Sequence, residues 1–141
     1  MIGNNDLNRF IVKYKEYFEI AYNEVKEGKK KSHWMWFIFP QINGLGSSSI
    51  SKYYAVKDIK EAIDFFENEY LKNSYLSICE LLLKLNVCNS KEIFGDIDSM
   101  KLHSSITLFY LITNNETINK VIKKFYNGEL DKFTCNIVGK I

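Results

Sequence analysis

The stretch DLNRFIVKYKEYFEIAYNEVKE, Asp6 to Glu27, decides the fold class. Phe10, Tyr14, Tyr17, Phe18, Ala21, Tyr22 and Val25 recur in it at steps of three and four, the period of one helical face. Asn5 or Asp6 stands ready to cap its start, and Gly28 sits where a helix-ending glycine belongs. Lys29, Lys30 and Lys31 follow beside the negative end of the helix dipole, as a solvated terminus or as a basic rim for an anionic ligand.

The same period continues outward from this helix. Asp58-Ile59-Lys60-Glu61 has the form of an acidic capping box and predicts a helix to about Lys72, burying Ala62, Ile63, Phe66 and Tyr70. Ser74 to Leu85 predicts another, with Leu76, Cys79, Leu82 and Leu83 inward. Ser90 is the expected cap of a single turn, Lys91 to Phe94, which Gly95 stops. Asp98 is the expected cap of a helix over Ser99 to Ile112, whose apolar residues are Met100, Leu102, Ile106, Leu108, Phe109 and Leu111. A helix from Glu116 to Tyr126 ends at Gly128, and Leu130 to Val138 adds one more turn. One proline leaves long helices uninterrupted, and no hairpin turn joins two alternating runs. The expectation is one mainly α domain over residues 1–141, with about five to seven helices and no spanning sheet.

Composition limits the function classes. With 141 residues and 46% hydrophobic content, the chain buries roughly 70% of its unfolded surface and needs no staple. Nineteen basic residues against 17 acidic ones leave a net charge of +2, which excludes disorder and argues against an extended nucleic-acid partner. Cys79, Cys88 and Cys135 are odd in number and lack CxxC spacing, so no disulfide framework or metal site is expected. Met1 to Asn8 has no apolar signal core, and the longest apolar run, Trp34 to Phe39, is far short of the ~20 residues of a membrane span. The expectation is a cytoplasmic protein with no membrane partner, no metal and no cofactor.

His33 to Pro40, HWMWFIFP, has no period that assigns it to helix or strand. Trp34 and Trp36 suit a core, or a stacking surface for a flat ring such as a nucleobase. An extended segment would place both on one face; a helical one would separate them. Gly44-Leu45-Gly46-Ser47-Ser48-Ser49 is a glycine loop before a short helix through Val56, offering N–H groups and hydroxyls to a phosphate, or plain turn and cap chemistry. It matches neither the P-loop nor the dinucleotide fingerprint. Lys101, Ser104 and Ser105 lie at helical steps within an apolar helix, where buried hydroxyls and an ammonium require partners. Imidazole chemistry rests on His33, the candidate catalytic base, or His103.

Several strings together carry a family resemblance: Asp6-Leu7-Asn8-Arg9-Phe10, Ser32 to Gln41 (SHWMWFIFPQ), Gly44-Leu45-Gly46, Glu92-Ile93-Phe94-Gly95, and Lys101-Leu102 with Ser104-Ser105 and Thr107-Leu108-Phe109. Over about residues 6–126 the chain resembles a family of small bacterial proteins of unknown function often labelled "calpastatin", a label that looks like a misnomer. The resemblance implies a compact helical domain and no established reaction. The family accepts arginine at the position of His103, which implies an anion contact there rather than a catalyst.

Three functions compete. The favoured one is binding of a phosphate-bearing, nucleotide-like molecule, such as sequestering a nucleotide signal, by Lys31, His33, Trp34, Trp36, Gln41, Gly44, Gly46, Ser47, Lys101, His103, Ser104 and Ser105. The others are an enzyme hydrolysing an ADP-ribose-type or nucleotide derivative, and an interaction domain in which every motif is packing. The favoured reading expects the segments His33–Gln41, Gly44–Ser49 and Lys101–Ser105 to converge.

Overall fold

A computed structural model describes residues 6–140, and among them the chain forms eight helices and no strand. α1 (Asn8–Lys26) packs on α5 (Glu69–Lys84), which packs on α7 (Glu116–Tyr126), which in turn packs on α6 (Ser90–Thr113). α4 (Ile59–Glu67) lies against α5 and α6. α2 (Met35–Ile38) rests on α1 and α6 beside α3 (Ser49–Tyr54), and α8 (Lys132–Lys140) packs on α6. The mainly α single fold is as the periodicity predicts. The helix number exceeds the expected range because α2 is a separate turn and α8 a full helix; the stretch Asp58–Leu85 forms two helices as expected but divides at an unexpected place.

That division is at Asn68, whose extended backbone ends α4 while its side chain accepts the Leu71 N–H at 3.0 Å and caps α5. An Asn side chain offers the chain this alternative to continued helix, and the predicted helix to Lys72 and start at Ser74 are both displaced by it. The break shifts the inward face. Phe65 is fully buried, edge-on to Phe10, whereas Ile63 and Tyr70, expected in the core, are each 40% exposed. Met100 likewise lies outside, 66% exposed.

The caps agree in part. Gly28, at φ +81°, donates its N–H to the Val25 carbonyl while Lys29 donates to Glu24, so α1 ends in a paired left-handed cap. Asp58 accepts the Glu61 N–H at 2.8 Å as predicted. Asp6 does not cap α1, whose first residue follows an uncapped Leu7; Asn5 lies outside the described residues. Asn89 caps α6 in place of Ser90, which turns inward to bond the Ser99 hydroxyl. Gly95, at φ +81° and ψ 173°, is non-helical and divides α6 into two helical stretches at a kink, the stop expected after Phe94; Asp98, in the stretch beyond it, lies 2.8 Å from Lys30.

The segment between α2 and α4 is tied at both ends. Asn43 donates to the Val56 carbonyl and Val56 to the Gln41 carbonyl, each at 2.8 Å, an isolated bridge enclosing α3. The Tyr14 hydroxyl reaches the Ile38 carbonyl at 2.6 Å and anchors α2 to α1.

Candidate functional site

The HWMWF segment is positioned by Glu24, a buried carboxylate at the end of α1. Its oxygens accept the Lys31 N–H at 2.7 Å, the Ser32 N–H at 2.9 Å, the Ser32 hydroxyl, and the Trp34 indole N–H at 2.9 Å. Burial alone would raise this carboxyl's pKa; the donors from Ser32, Lys31 and Trp34 outweigh it and lower the pKa from 4.5 to about 2. Trp34 is thereby drawn into the core at zero exposure, with its ring near Phe39 and edge-on to Phe94. The next residues turn helically, so Trp36 points elsewhere, half-buried, with the Lys101 ammonium 5.1 Å over its ring. The helical alternative for this segment is the one realised.

A cleft of about 480 Å³ opens beside Trp36, within the usual range for small-molecule sites of roughly 300–1,000 Å³. One wall is the Gln41–Ser51 segment, contributing Gln41, Gly44, Leu45, Gly46 and Ser51. The opposite wall is α6, contributing Ile97, Met100, Lys101, His103 and Ser104, and Asp131 with Phe133 at the start of α8 close the end. Parts of all three segments that the sequence reading expects to converge therefore meet. Half of the twelve candidate residues, Gln41, Gly44, Gly46, Lys101, His103 and Ser104, line this one cleft.

The other six do not. Trp34 and Ser105 are core residues: Ser105 has zero exposure and bonds the Tyr75 hydroxyl at 2.9 Å, one helical position round from the cleft. Lys31 is exposed and 3.8 Å from Glu27. His33 is exposed, its ring 6.4 Å from that of Trp36, and Ser47 is exposed on the loop. Trp36 borders a minor hollow that shares Gln41, Gly46 and Ser51 with the cleft.

The glycine loop has a packing explanation. A Cβ on Gly46 would lie 2.6 Å from the Ser51 Cβ, and one on Gly44, at φ +111°, 3.3 Å from the Ile137 side chain. The loop is thus wedged between α3 and α8, and Ser48 itself caps α3 by accepting the Ser51 N–H. The charged and ring side chains lie on the opposite wall and at the closed end. The Lys101 ammonium is 3.9 Å from Asp98, whose other oxygen is 2.8 Å from Lys30. The His103 ring stacks on Tyr126 at 3.9 Å, and its Nε2 bonds the Glu129 carbonyl at 2.7 Å. Asp131 caps α8 through the Thr134 N–H at 3.0 Å and hydroxyl at 2.6 Å, and it accepts the Ser104 hydroxyl at 3.3 Å.

Sequence reasoning missed Leu45, Ser51, Ile97, Met100, Asp131 and Phe133. Ile97, Met100 and Phe133 are 71%, 66% and 68% exposed, apolar residues at a cleft mouth. The usable signal was an apolar residue off the helical stripe, as Met100 is; Phe133 had none. Among the described residues no group of three His, Cys, Asp or Glu is placed to hold a metal, and no helix is long and apolar enough to cross a membrane.

A family model described as a protein of unknown function, DUF1810, matches residues 4–138. The chain belongs to the DUF1810 family. The crystal structure of the conserved hypothetical protein Rv1873 from Mycobacterium tuberculosis is similar to this DUF1810 chain at a TM-score of 0.93 and 32% identity. The likeness covers 97% of this chain and 99% of that one. No curated protein matches the chain.

Proposed function

We propose that the cleft binds a nucleotide-like small molecule, one flat ring joined to a phosphate-type anion, and holds it without transforming it. The observation that carries this reading is Lys101. Its ammonium stands on a cleft wall with a long contact to an already paired Asp98 and a second to the Trp36 ring 5.1 Å away, beside apolar surface on which a ligand ring can lie. Met100 and Phe133 supply that surface in place of Trp34, and the Gln41 amide offers a donor and an acceptor to a ring edge. Asp131 and Ser104 offer oxygen lone pairs to a sugar hydroxyl. Binding is favoured over turnover because the imidazoles are elsewhere or occupied. His33 lies outside the cleft, and His103 is stacked on Tyr126 and bonded to Glu129.

Isothermal titration of purine nucleotides against wild type and Lys101→Ala tests the reading. Loss of a charge-assisted contact worth roughly 1.5–3 kcal/mol should weaken binding by about 10- to 150-fold. If no nucleotide or sugar phosphate binds the wild type, the reading is abandoned in favour of an interaction domain.

A further inference from the structure

Resting on that reading, we infer that the cleft selects a singly charged phosphodiester, such as a cyclic nucleotide, over monoester and polyphosphate forms, and that Asp131 imposes the limit. With histidine counted neutral at pH 7, two lining residues carry formal charge, Lys101 and Asp131, and they cancel. The one ammonium is also shared, since Asp98 lies 3.9 Å away. Neither carboxylate is free to leave. Asp98 is held by Lys30 at 2.8 Å, and Asp131 by both donors of Thr134, while the Asp131 N–H is tied to the Thr107 hydroxyl at 3.0 Å.

The hydroxyl beside them adds no donor for a phosphate. Ser104 has one proton, and its acceptors are the Met100 carbonyl at 3.1 Å and the Asp131 carboxylate at 3.3 Å. Toward the cleft it therefore presents lone pairs, which repel an anion and suit a ligand hydroxyl. One negative charge finds a partner in Lys101. A second or third would sit beside the fixed Asp131 carboxylate in a partly desolvated cleft, where like charges repel more strongly than in water.

The test is competitive titration, without divalent cations and at fixed ionic strength, of a purine 3′,5′-cyclic monophosphate, the 5′-monophosphate and the 5′-triphosphate. Wild type should bind the cyclic form at least about tenfold more tightly than the triphosphate. Asp131→Asn keeps an effective helix cap while removing the charge, and should raise triphosphate affinity by about tenfold, narrowing the gap. Equal or tighter triphosphate binding by wild type overturns charge selection but leaves nucleotide binding standing. An unchanged ratio in folded Asp131→Asn overturns the role of Asp131. If none of the three binds, the proposed function fails and this inference falls with it.

Discussion

Arg9 and Glu61, 52 residues apart, form a buried two-point ion pair, with Nη1 and Nη2 donating to the two carboxylate oxygens at 3.1 and 2.8 Å. The same guanidinium donates to the carbonyls of Asp6, Tyr53 and Ala55, while Glu61 also accepts the Lys57 N–H at 2.9 Å. Arg9 is the only arginine in the chain. It fastens the start of α1 to the end of α3 and the first turn of α4, and so holds one end of the segment whose loop walls the cleft.

Arg9→Ala leaves the buried Glu61 carboxylate with no cation nearer than the half-exposed Lys57 ammonium at 3.9 Å and should destabilise the fold by about 3–5 kcal/mol. Arg9→Lys should recover only part, because an ammonium cannot reproduce a planar fork serving two carboxylate oxygens and three carbonyls. Urea denaturation of the three proteins checks this; equal midpoints would contradict it.

Glu24 makes stability depend on acid. Its folded pKa, about 2, lies below the ordinary 4.5, so its contribution is complete above pH 4.5 and is lost as pH falls through about 2. A difference of this size amounts to about 3 kcal/mol. Glu24→Gln should be less stable than wild type near neutrality, and the two should converge toward pH 2. Melting temperatures across that interval measure the convergence.

Lys124 serves as the C-terminal cap of α5. Its ammonium donates to the carbonyls of Leu82 at 2.8 Å, Leu83 at 3.2 Å and Leu85. Lys124→Met keeps most of the stem and removes the donor, which should cost roughly 1.5–3 kcal/mol. Amide exchange should accelerate at the end of α5 more than in α1.

Gly46→Ala tests the wedge between the loop and α3. The new Cβ meets Ser51 at 2.6 Å, so α3 must shift and stability should fall by about 1–3 kcal/mol. Ser51→Gly in the same chain removes the obstacle and should restore part of the loss, whereas a glycine needed for ligand approach would show the cost only in affinity.

Much of this protein was legible in its amino-acid order because helices are local objects. A stripe such as Phe10, Tyr14, Ala21 and Val25, closed by Gly28, is written within one segment, and all four apolar residues are fully buried. Asp58 capping Glu61 and the kink at Gly95 are local in the same way. The family strings also drew attention to Gln41, Gly44, Gly46 and Lys101, which do meet. What the order of residues left open was direction. The apolar run Trp34–Phe39 has no period, and Trp34 and Trp36 were equivalent until four donors from the turn after α1 converged on the Glu24 carboxylate and took one indole inward. Ser104 and Ser105 were likewise adjacent and alike; the Tyr75 hydroxyl took Ser105 into the core and left Ser104 beside Asp131. Asp131 and Phe133 entered the cleft only because α8 packs on α6. A buried polar group must find its partner wherever the fold supplies one, and that partner, on another element, decided which side of each helix faces the cleft.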